Sequence, residues 1–341
     1  MQKYRSYKII ITFMVSLFSF SSALSQDKLA QTGMQFLSVG TDARAVAMGE
    51  AFTTIEGRSS SLFYNPACMA RTSNTFDISL NQNNWIAGIK HNSGTMSLNL
   101  ANGRYGVFGI SFLSVDYGDD IYGTIVDPDP SNPKGYLPTD PITPSAYMIG
   151  LGYAIQLSDR FSVGGQIKNV HQNLGASTIP VDVIRPDPEQ TTEVKNSLST
   201  VSFDFGTFYQ TGFNNLVFGM SVRNYSPEVK YVREGFQLPL TFKFGFSVDA
   251  FELLNQNTSM HSLHISIDAV HPRSYPEFLN IGGEYLFMNA FSLRAGYITN
   301  QEEYSYTAGF GLQKFGIALD YAYTPFNAFE DVSRLSVRFS F

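Results

Sequence analysis

The chain has 341 residues, with 29 Phe, 19 Tyr and 28 Gly, only 15% charged residues and a net charge of −6. That acidic balance excludes nucleic acid as a partner, and the single cysteine, Cys68, excludes an internal disulfide framework. Typical soluble domains carry about a quarter charged residues, so this composition suits wide strands facing lipid.

Lys3, Arg5 and Lys8 precede an apolar run from Ile9 to Phe20, and Ala23-Leu24-Ser25 offers small residues ahead of Gln26. A basic start, a short apolar core and small residues before a cut describe a cleaved secretory signal over residues 1–25. The run is short for a spanning helix, which needs roughly 20 residues. Gln26, not a cysteine, stands directly after the cut, which argues against a lipid anchor, and losing three basic residues takes the net charge from −6 to −9.

Residues 26–83 read as a separate segment. In "DARAVAMGEAFTTI" (42–55), Ala43, Val46, Ala47, Ala51 and Ile55 recur at helical spacing, and Asp42 can cap the start. A small, polar "EGRSSS" follows, then "LFYNPACMA", where Pro66 disfavours helix at Asn65 and the Asn side chain can bond back to local backbone. A sharp bend is expected there, sending the chain toward the first barrel strand. The segment is expected to plug the lumen, the alternative being a periplasmic tail packed against the rim. Residues 74–81 could form a strand but would spoil an even strand count.

From residue 84 onward, alternation with period two recurs segment after segment. Tyr147, Ile149, Leu151, Tyr153 and Ile155 share one face, with Gly150, Gly152, Ala154 and Gln156 on the other. Such alternation marks strands with one apolar face. Fourteen strands are expected at 84–91, 94–101, 104–117, 145–157, 159–173, 198–210, 213–225, 240–250, 260–270, 278–287, 290–298, 304–313, 315–324 and 332–341. The joints alternate between long (118–144, 174–197, 226–239) and tight (Asn102-Gly103, Ser158, Met288-Asn289), with 92–93 and 251–259 as exceptions. Aromatic-rich outer faces, small or polar inner faces and sorted loops describe an all-β, fourteen-stranded antiparallel transmembrane barrel over 84–341, both termini on the periplasmic side.

The final strand, "RLSVRFSF", puts Leu335, Val337, Phe339 and Phe341 on one face and ends on an aromatic residue. Val337, Phe339 and Phe341 resemble the terminal signal read by barrel-assembly machinery. Outer-membrane lipid is then the surrounding partner.

The histidines do not suggest chemistry. His261 and His264, three apart on a strand, face opposite ways, and Asp268 and His271 lack any nucleophile elbow. No catalytic residue, metal or cofactor is expected. Loop 118–144 carries six prolines and five aspartates, and reads either as a stiffened protein-docking surface, with Asp119, Asp120, Asp127, Asp129 and Tyr136 as contacts, or as a solvated loop. Loop 174–197, with Asp182, Asp187 and Glu189, reads the same way. Inward charges of mixed sign, among them Lys168, Asp204, Asp268, Glu284, Arg294, Asp320 and Arg338, favour ion pairs bracing a filled lumen.

The stretch "GMQFLSVGTDARAVAMGEAF" followed by "SSSLFYNPACMA" resembles the N-terminal signature of the PorV/PorQ family, a branch of the FadL-type barrels whose hatch also carries Asn-Pro-Ala. The similarity rests on Asp42, Arg44, Met48, Gly49, Asn65, Pro66 and Ala67 and extends through the first hairpins to the barrel's end, over essentially the whole mature chain. Glu50 departs from it, standing where the family often has a second Gly. The resemblance implies a Gram-negative outer-membrane component of the type IX secretion system, whose partners are secreted proteins and other secretion components. PorV-type barrels carry exported proteins to a surface attachment complex, and PorQ-type barrels belong to the surface machinery. The second reading is a FadL-like passive channel for hydrophobic small molecules, gated by the hatch.

Overall fold

Inside a bilayer no water is available to pair backbone N–H and C=O groups, so a strand protein can span only as a closed ring. The structure, a computed structural model, describes residues 32–118, 121–127, 129–181, 190–231, 234–254 and 260–341. Its strands are β1 (Phe76–Asn84), β2 (Lys90–Asn99), β3 (Val107–Asp116), β4 (Ile121–Val126), β5 (Tyr136–Ile142), β6 (Ser145–Ser158), β7 (Phe161–Pro180), β8 (Thr191–Gln210) and β9 (Val217–Tyr225). There follow β10 (Val229–Lys230), β11 (Gly235–Phe236), β12 (Thr241–Asp249), β13 (His261–Pro272), β14 (Phe278–Phe287), β15 (Phe291–Ile298), β16 (Tyr306–Lys314), β17 (Ile317–Thr324) and β18 (Val332–Ser340). Fourteen of them close into one antiparallel barrel in the order β1-β2-β3-β6-β7-β8-β9-β12-β13-β14-β15-β16-β17-β18, while β4–β5 and β10–β11 form two small hairpins beyond it.

The seam joins β1 to β18, with Asp77 opposite Ser340 and Asn84 opposite Ser333. Phe76 and Phe341 finish it by exchanging two backbone hydrogen bonds of 2.9 Å. Around the ring the outward side chains are apolar and exposed, as at Ile149, Leu151, Phe205, Phe246, Leu293, Phe310 and Leu319. The inward ones are buried and polar, as at Ser79, Asn81, Thr95, Ser111, Asp204, Asp268 and Arg294. An apolar outer belt over a polar interior is the signature of an outer-membrane barrel.

Three expectations need correcting. The first barrel strand is 76–84, so the wall begins eight residues before the expected 84, and 84–91 is mostly a turn. Ala87 (φ 56°) and Gly88 (φ 72°) there adopt left-handed backbone that no strand accommodates. With β1 in place the first long-side joint becomes 85–89, and the anomaly at 92–93 disappears. Second, the helix expected over 42–55 is confined to Ala43–Ala47, because Gly49 (φ 62°) and Glu50 (φ 59°) turn the chain left-handed. Third, the described part of the segment before β1 begins at the long-loop end, not at the short-turn side. Gly33 donates its N–H to the Gln237 carbonyl at 3.1 Å, in a long-loop connection, whereas Arg71 Nη2 donates to the Asp159 carbonyl at 2.6 Å, in a short turn. The chain therefore descends the whole lumen before β1 starts back up.

The long loops also hold more regular structure than expected. β4–β5 forms within 118–144, β7 and β8 extend into 174–197, and β10–β11 forms within 226–239.

Candidate functional site

Residues 33–72 occupy the lumen, and this plug meets complementary inward groups at several of its turns. Asp42 caps the short helix by accepting from Ala45 N at 3.0 Å, and Ala43 N donates to Ser336 Oγ at 2.8 Å. The helix can lie flat on the wall because Gly282, Gly296 and Gly309 face it; any Cβ there would strike Ala47, Met48 or Gly49. Arg44 donates to Glu284 (Nε to Oε2, 2.7 Å), Glu284 also receives Arg294 at 2.5 Å, and Arg294 reaches Asp320 at 2.7 Å. Two cations and two anions thus alternate across the plug–wall boundary. Such a balanced chain is what makes buried charges tolerable.

Further down, Asp268 of β13 accepts three hydrogen bonds from the plug: Phe52 N (2.9 Å), Thr53 N (3.0 Å) and Thr53 Oγ1 (2.6 Å). Asp77 of β1 accepts from Ser59 N and Oγ at 2.9 and 2.7 Å and pairs with Arg338, whose Nε lies 2.7 Å away.

Between these anchors sits Asn65-Pro66-Ala67. Asn65 Oδ1 accepts from Ala67 N at 3.1 Å, capping the 3-10 helix Pro66–Arg71, with Pro66 at its first position. Its Nδ2 donates to the carbonyls of Thr53 (2.7 Å) and Thr207 (2.9 Å). Thus one side chain joins the bend to the plug and to β8 while leaving no polar group stranded. Gly164 of β7 and Gly206 of β8 make room for it, since a Cβ at either would collide with Asn65 or Pro66.

Above the plug, at the long-loop end, lies a cavity of about 480 Å³. Its floor is Phe36, Gly40 and Glu50 of the plug; its wall includes Trp85, His91, Tyr117, Lys243, Tyr275, Phe278 and Tyr304. Glu50 faces Lys243, with Oε2 to Nζ at 3.9 Å. Arg334 holds the Gly40 carbonyl at 3.0 Å and lies 5.4 Å from the Trp85 ring centre, within cation–π range. Over the mouth, Tyr231 donates to Gln172 Oε1 at 3.1 Å; burial, then the neighbouring Tyr117, pushes its phenol up to about 12. An aromatic wall over a floor with a few fixed charges can hold an amphipathic group.

The sequence-derived candidates fall in three places. Asp42, Arg44, Met48, Gly49, Asn65, Pro66 and Ala67 all lie in the plug, with Met48 and Gly49 against Gly282 and Gly296 of the wall and Asn65, Pro66 and Ala67 against Gly164 and Gly206. Val337, Phe339 and Phe341 lie on β18 and its end, in the seam. Asp127, Asp129 and Tyr136 belong to the β4–β5 hairpin, while Asp119 and Asp120 lie outside the described residues, as do Asp182, Asp187 and Glu189. In the hairpin turn Asp127 accepts from Asp129 N (3.1 Å) and Asn132 Nδ2 (2.8 Å), and Asp129 accepts from Ser131 N (2.8 Å). The Ser131 N–H holds the Asp129 carboxyl below the usual carboxylate range. These two aspartates shape their own turn, and Tyr136 beside them is exposed. Asp77 and Glu50, both anchors of the plug, went unrecognised. Asp77 falls ahead of the strand expected from 84, and Glu50 reads from the sequence only as a departure from a motif.

Several solved structures share this architecture. The toluene transporter TbuX of Ralstonia pickettii matches with a TM-score of 0.61 and 14% identity, over 89% of this chain and 98% of that one. CymD, a monoaromatic hydrocarbon channel, matches with a TM-score of 0.59 and 13% identity, over 89% and 98%. A Pseudomonas aeruginosa FadL homologue matches with a TM-score of 0.56 and 12% identity, over 89% and 99%. At such identities the likeness is one of fold, and the fold is FadL-like. No curated protein sequence matches the chain. Residues 141–339, well over half of the chain, match the family described as "Type IX secretion system membrane protein PorP/SprF". The expected secretion system is thus reached under a different family name, PorP/SprF in place of PorV/PorQ. A closed barrel with an apolar belt, in this family, resides in the outer membrane of a Gram-negative bacterium. The polar, plugged barrel described above is the fold of this sequence, and the chain belongs to the PorP/SprF family of type IX secretion system membrane proteins.

Proposed function

We propose that this protein is a non-enzymatic outer-membrane component of type IX secretion that binds exported or partner proteins at its cell-surface end, for export or attachment. One observation carries the reading: the lumen is filled by a plug anchored at Glu284, Asp268 and Asp77, while ordered hairpins stand above the belt at the opposite end from the short turns. A barrel so occupied offers its outer surface more readily than its bore. The PorV/PorQ resemblance, carried most specifically by the N-terminal block ahead of the matched residues 141–339, supports a role in carrying exported proteins at the surface. Secretion components and barrel-assembly machinery are its proposed partners. Deleting the gene, or residues 121–142 alone, should leave exported proteins in the periplasm; normal export in both strains would refute the reading.

The second reading, a FadL-like channel for hydrophobic small molecules, draws on the aromatic-walled cavity of about 480 Å³ above the plug. It predicts that uptake of a labelled aromatic hydrocarbon falls on deletion and is restored by the wild-type gene.

A further inference from the structure

The β7–β8 ribbon rises past the rest of the wall. On one side β6 accompanies β7 up to the pair Ser145–Asn173; on the other, β9 accompanies β8 only up to Tyr225–Phe203. Residues Thr191–Ser202 of β8 therefore have β7 along one edge and, among the described residues, no strand along the other. At about 3.3 Å per residue this bare edge is roughly 40 Å long.

The β9 ladder is ended by a built device. Asn224 sits in left-handed backbone (φ 61°), and the register slips between Phe203 and Phe205. Asp204 accepts Asn224 N at 2.7 Å and pairs with Lys168 at 2.7 Å; Lys168 also donates to Asn224 Oδ1, and Asn224 Nδ2 donates to the Pro239 carbonyl at 3.1 Å. All three side chains are buried. Bulges recur where a ladder must stop and a chain be re-aimed. Here the chain is turned over the lumen, where Val229 and Phe236 pack on the plug's apolar cluster. The segment that would have covered β8 covers the mouth instead.

Proteins ordinarily protect long edges with proline, bulges or a covering element. The neighbouring hairpin follows that rule: β5 carries Pro138 and Pro141, and Ile142 lies against Gly175 of β7. The β8 stretch, "TTEVKNSLSTVS", has no Pro or Gly and five β-branched residues. Its outward side chains Glu193, Lys195, Ser197 and Ser199 are exposed and polar, so it stands above the lipid belt, which on this strand ends near Val201.

We propose that the edge Val194–Ser202 is a strand-accepting dock, on which an extended segment of a protein in transit at the cell surface pairs as an additional β-strand. The proposal rests on the secretion reading above. Backbone donors and acceptors with no partner strand among the described residues are complemented by another backbone, and the small flanking side chains (Ser197, Ser199, Thr200) ask little of the incoming sequence. This is recognition by strand addition, where main-chain bonds give affinity and side chains tune specificity. A second copy fits less well: β8 paired with its own twin about Ser197 would set Glu193 against Val201 and Lys195 against Ser199, leaving both charges unmatched.

The test uses the full chain in its own outer membrane, with a photo-crosslinking residue at Lys195 or Ser199 and, as control, at Ile179 of β7. Light should link exported proteins at the β8 positions at least tenfold more than at the control, and mass spectrometry should place the link in an extended segment. A synthetic peptide of that segment, added to the full chain in nanodiscs, should slow amide exchange at every second residue of 194–202, as strand pairing requires. Leu198→Pro and Ser199→Pro remove adjacent donors, one facing β7 and one facing the free edge; the variant that keeps a folded barrel should lose the Lys195 crosslink. Crosslinks only between two copies, adducts only with lipopolysaccharide, or uniform exchange would overturn the dock. If gene deletion blocks export but these crosslinks are absent, the dock fails and the secretion reading stands; if deletion leaves export intact, the reading beneath it fails.

Discussion

Thr53 is held from two sides, and cutting one hold should open the plug measurably. Asp268 receives Phe52 N, Thr53 N and Thr53 Oγ1, while the Thr53 carbonyl receives Asn65 Nδ2 and the Cys68 thiol at 3.3 Å. In Asp268→Ala the Thr53 hydroxyl can rotate to another acceptor, but the two backbone N–H groups cannot. Each orphaned buried donor costs about 1–3 kcal/mol, so local stability should fall by about 3 kcal/mol. As each 1.4 kcal/mol is tenfold in an equilibrium, the open plug should be populated roughly 100-fold more. Cys68 is the only cysteine, is buried and lies in the plug, which makes it a native reporter. Maleimide labelling of the folded, detergent-solubilised protein should accelerate by about two orders of magnitude in Asp268→Ala and by about tenfold in Asp268→Asn, which keeps one acceptor. A wild-type labelling rate in Asp268→Ala, with the barrel still migrating as folded on unheated gels, would refute the latch.

Other outcomes follow from the same contacts. Glu284→Ala strands Arg44 and leaves Arg294 with Asp320 alone, and should cost about 3–5 kcal/mol, read as a lower denaturant midpoint in detergent; Glu284→Gln should cost less. Gly206→Val drives a side chain into Asn65 and should displace the Asn-Pro-Ala bend, raising Cys68 labelling without loss of the outer β-sheet circular dichroism signal. Deleting Phe341 removes both hydrogen bonds of the final seam pair and should lower the amount of barrel in the outer-membrane fraction several-fold at unchanged synthesis.

The barrel was legible because lipid imposes a strict code on the outward positions of strands such as β6 and β15, which stay apolar while the inward ones vary. β1 escaped for a physical reason. In "FDISLNQNN" the inward Asp77, Ser79, Asn81 and Asn83 fit a strand, but the outward face turns polar at Gln82 and Asn84 where it leaves the belt. That pattern allows a strand over 74–81, but counting it beside one at 84–91 gives fifteen; the apolar run "WIAGI" belongs instead to the turn that joins β1 to β2. The hairpins above the membrane were invisible for the same cause: β5 and the ends of β7 and β8 stand in water, where no apolar face is required. The plug's outline could be read from Asp42, Pro66 and the helical spacing. Its partners could not, because Asp268 meets Thr53 across 215 residues of sequence, a distance that no local pattern encodes.

The path of the chain through the lumen also ties the plug to the seam. The hydrogen bonds from Ala43 N to Ser336 and from Arg334 to the Gly40 carbonyl span 293 and 294 residues of sequence, and both land on β18, the strand that closes the ring against β1. Closing loops of that length costs entropy that the plug contacts and the seam offset together. The plug is thus a clasp as well as a filling: it grips from inside the strand on which the ring closes, and the glycines beneath Met48 and Asn65 are the grooves in which it beds.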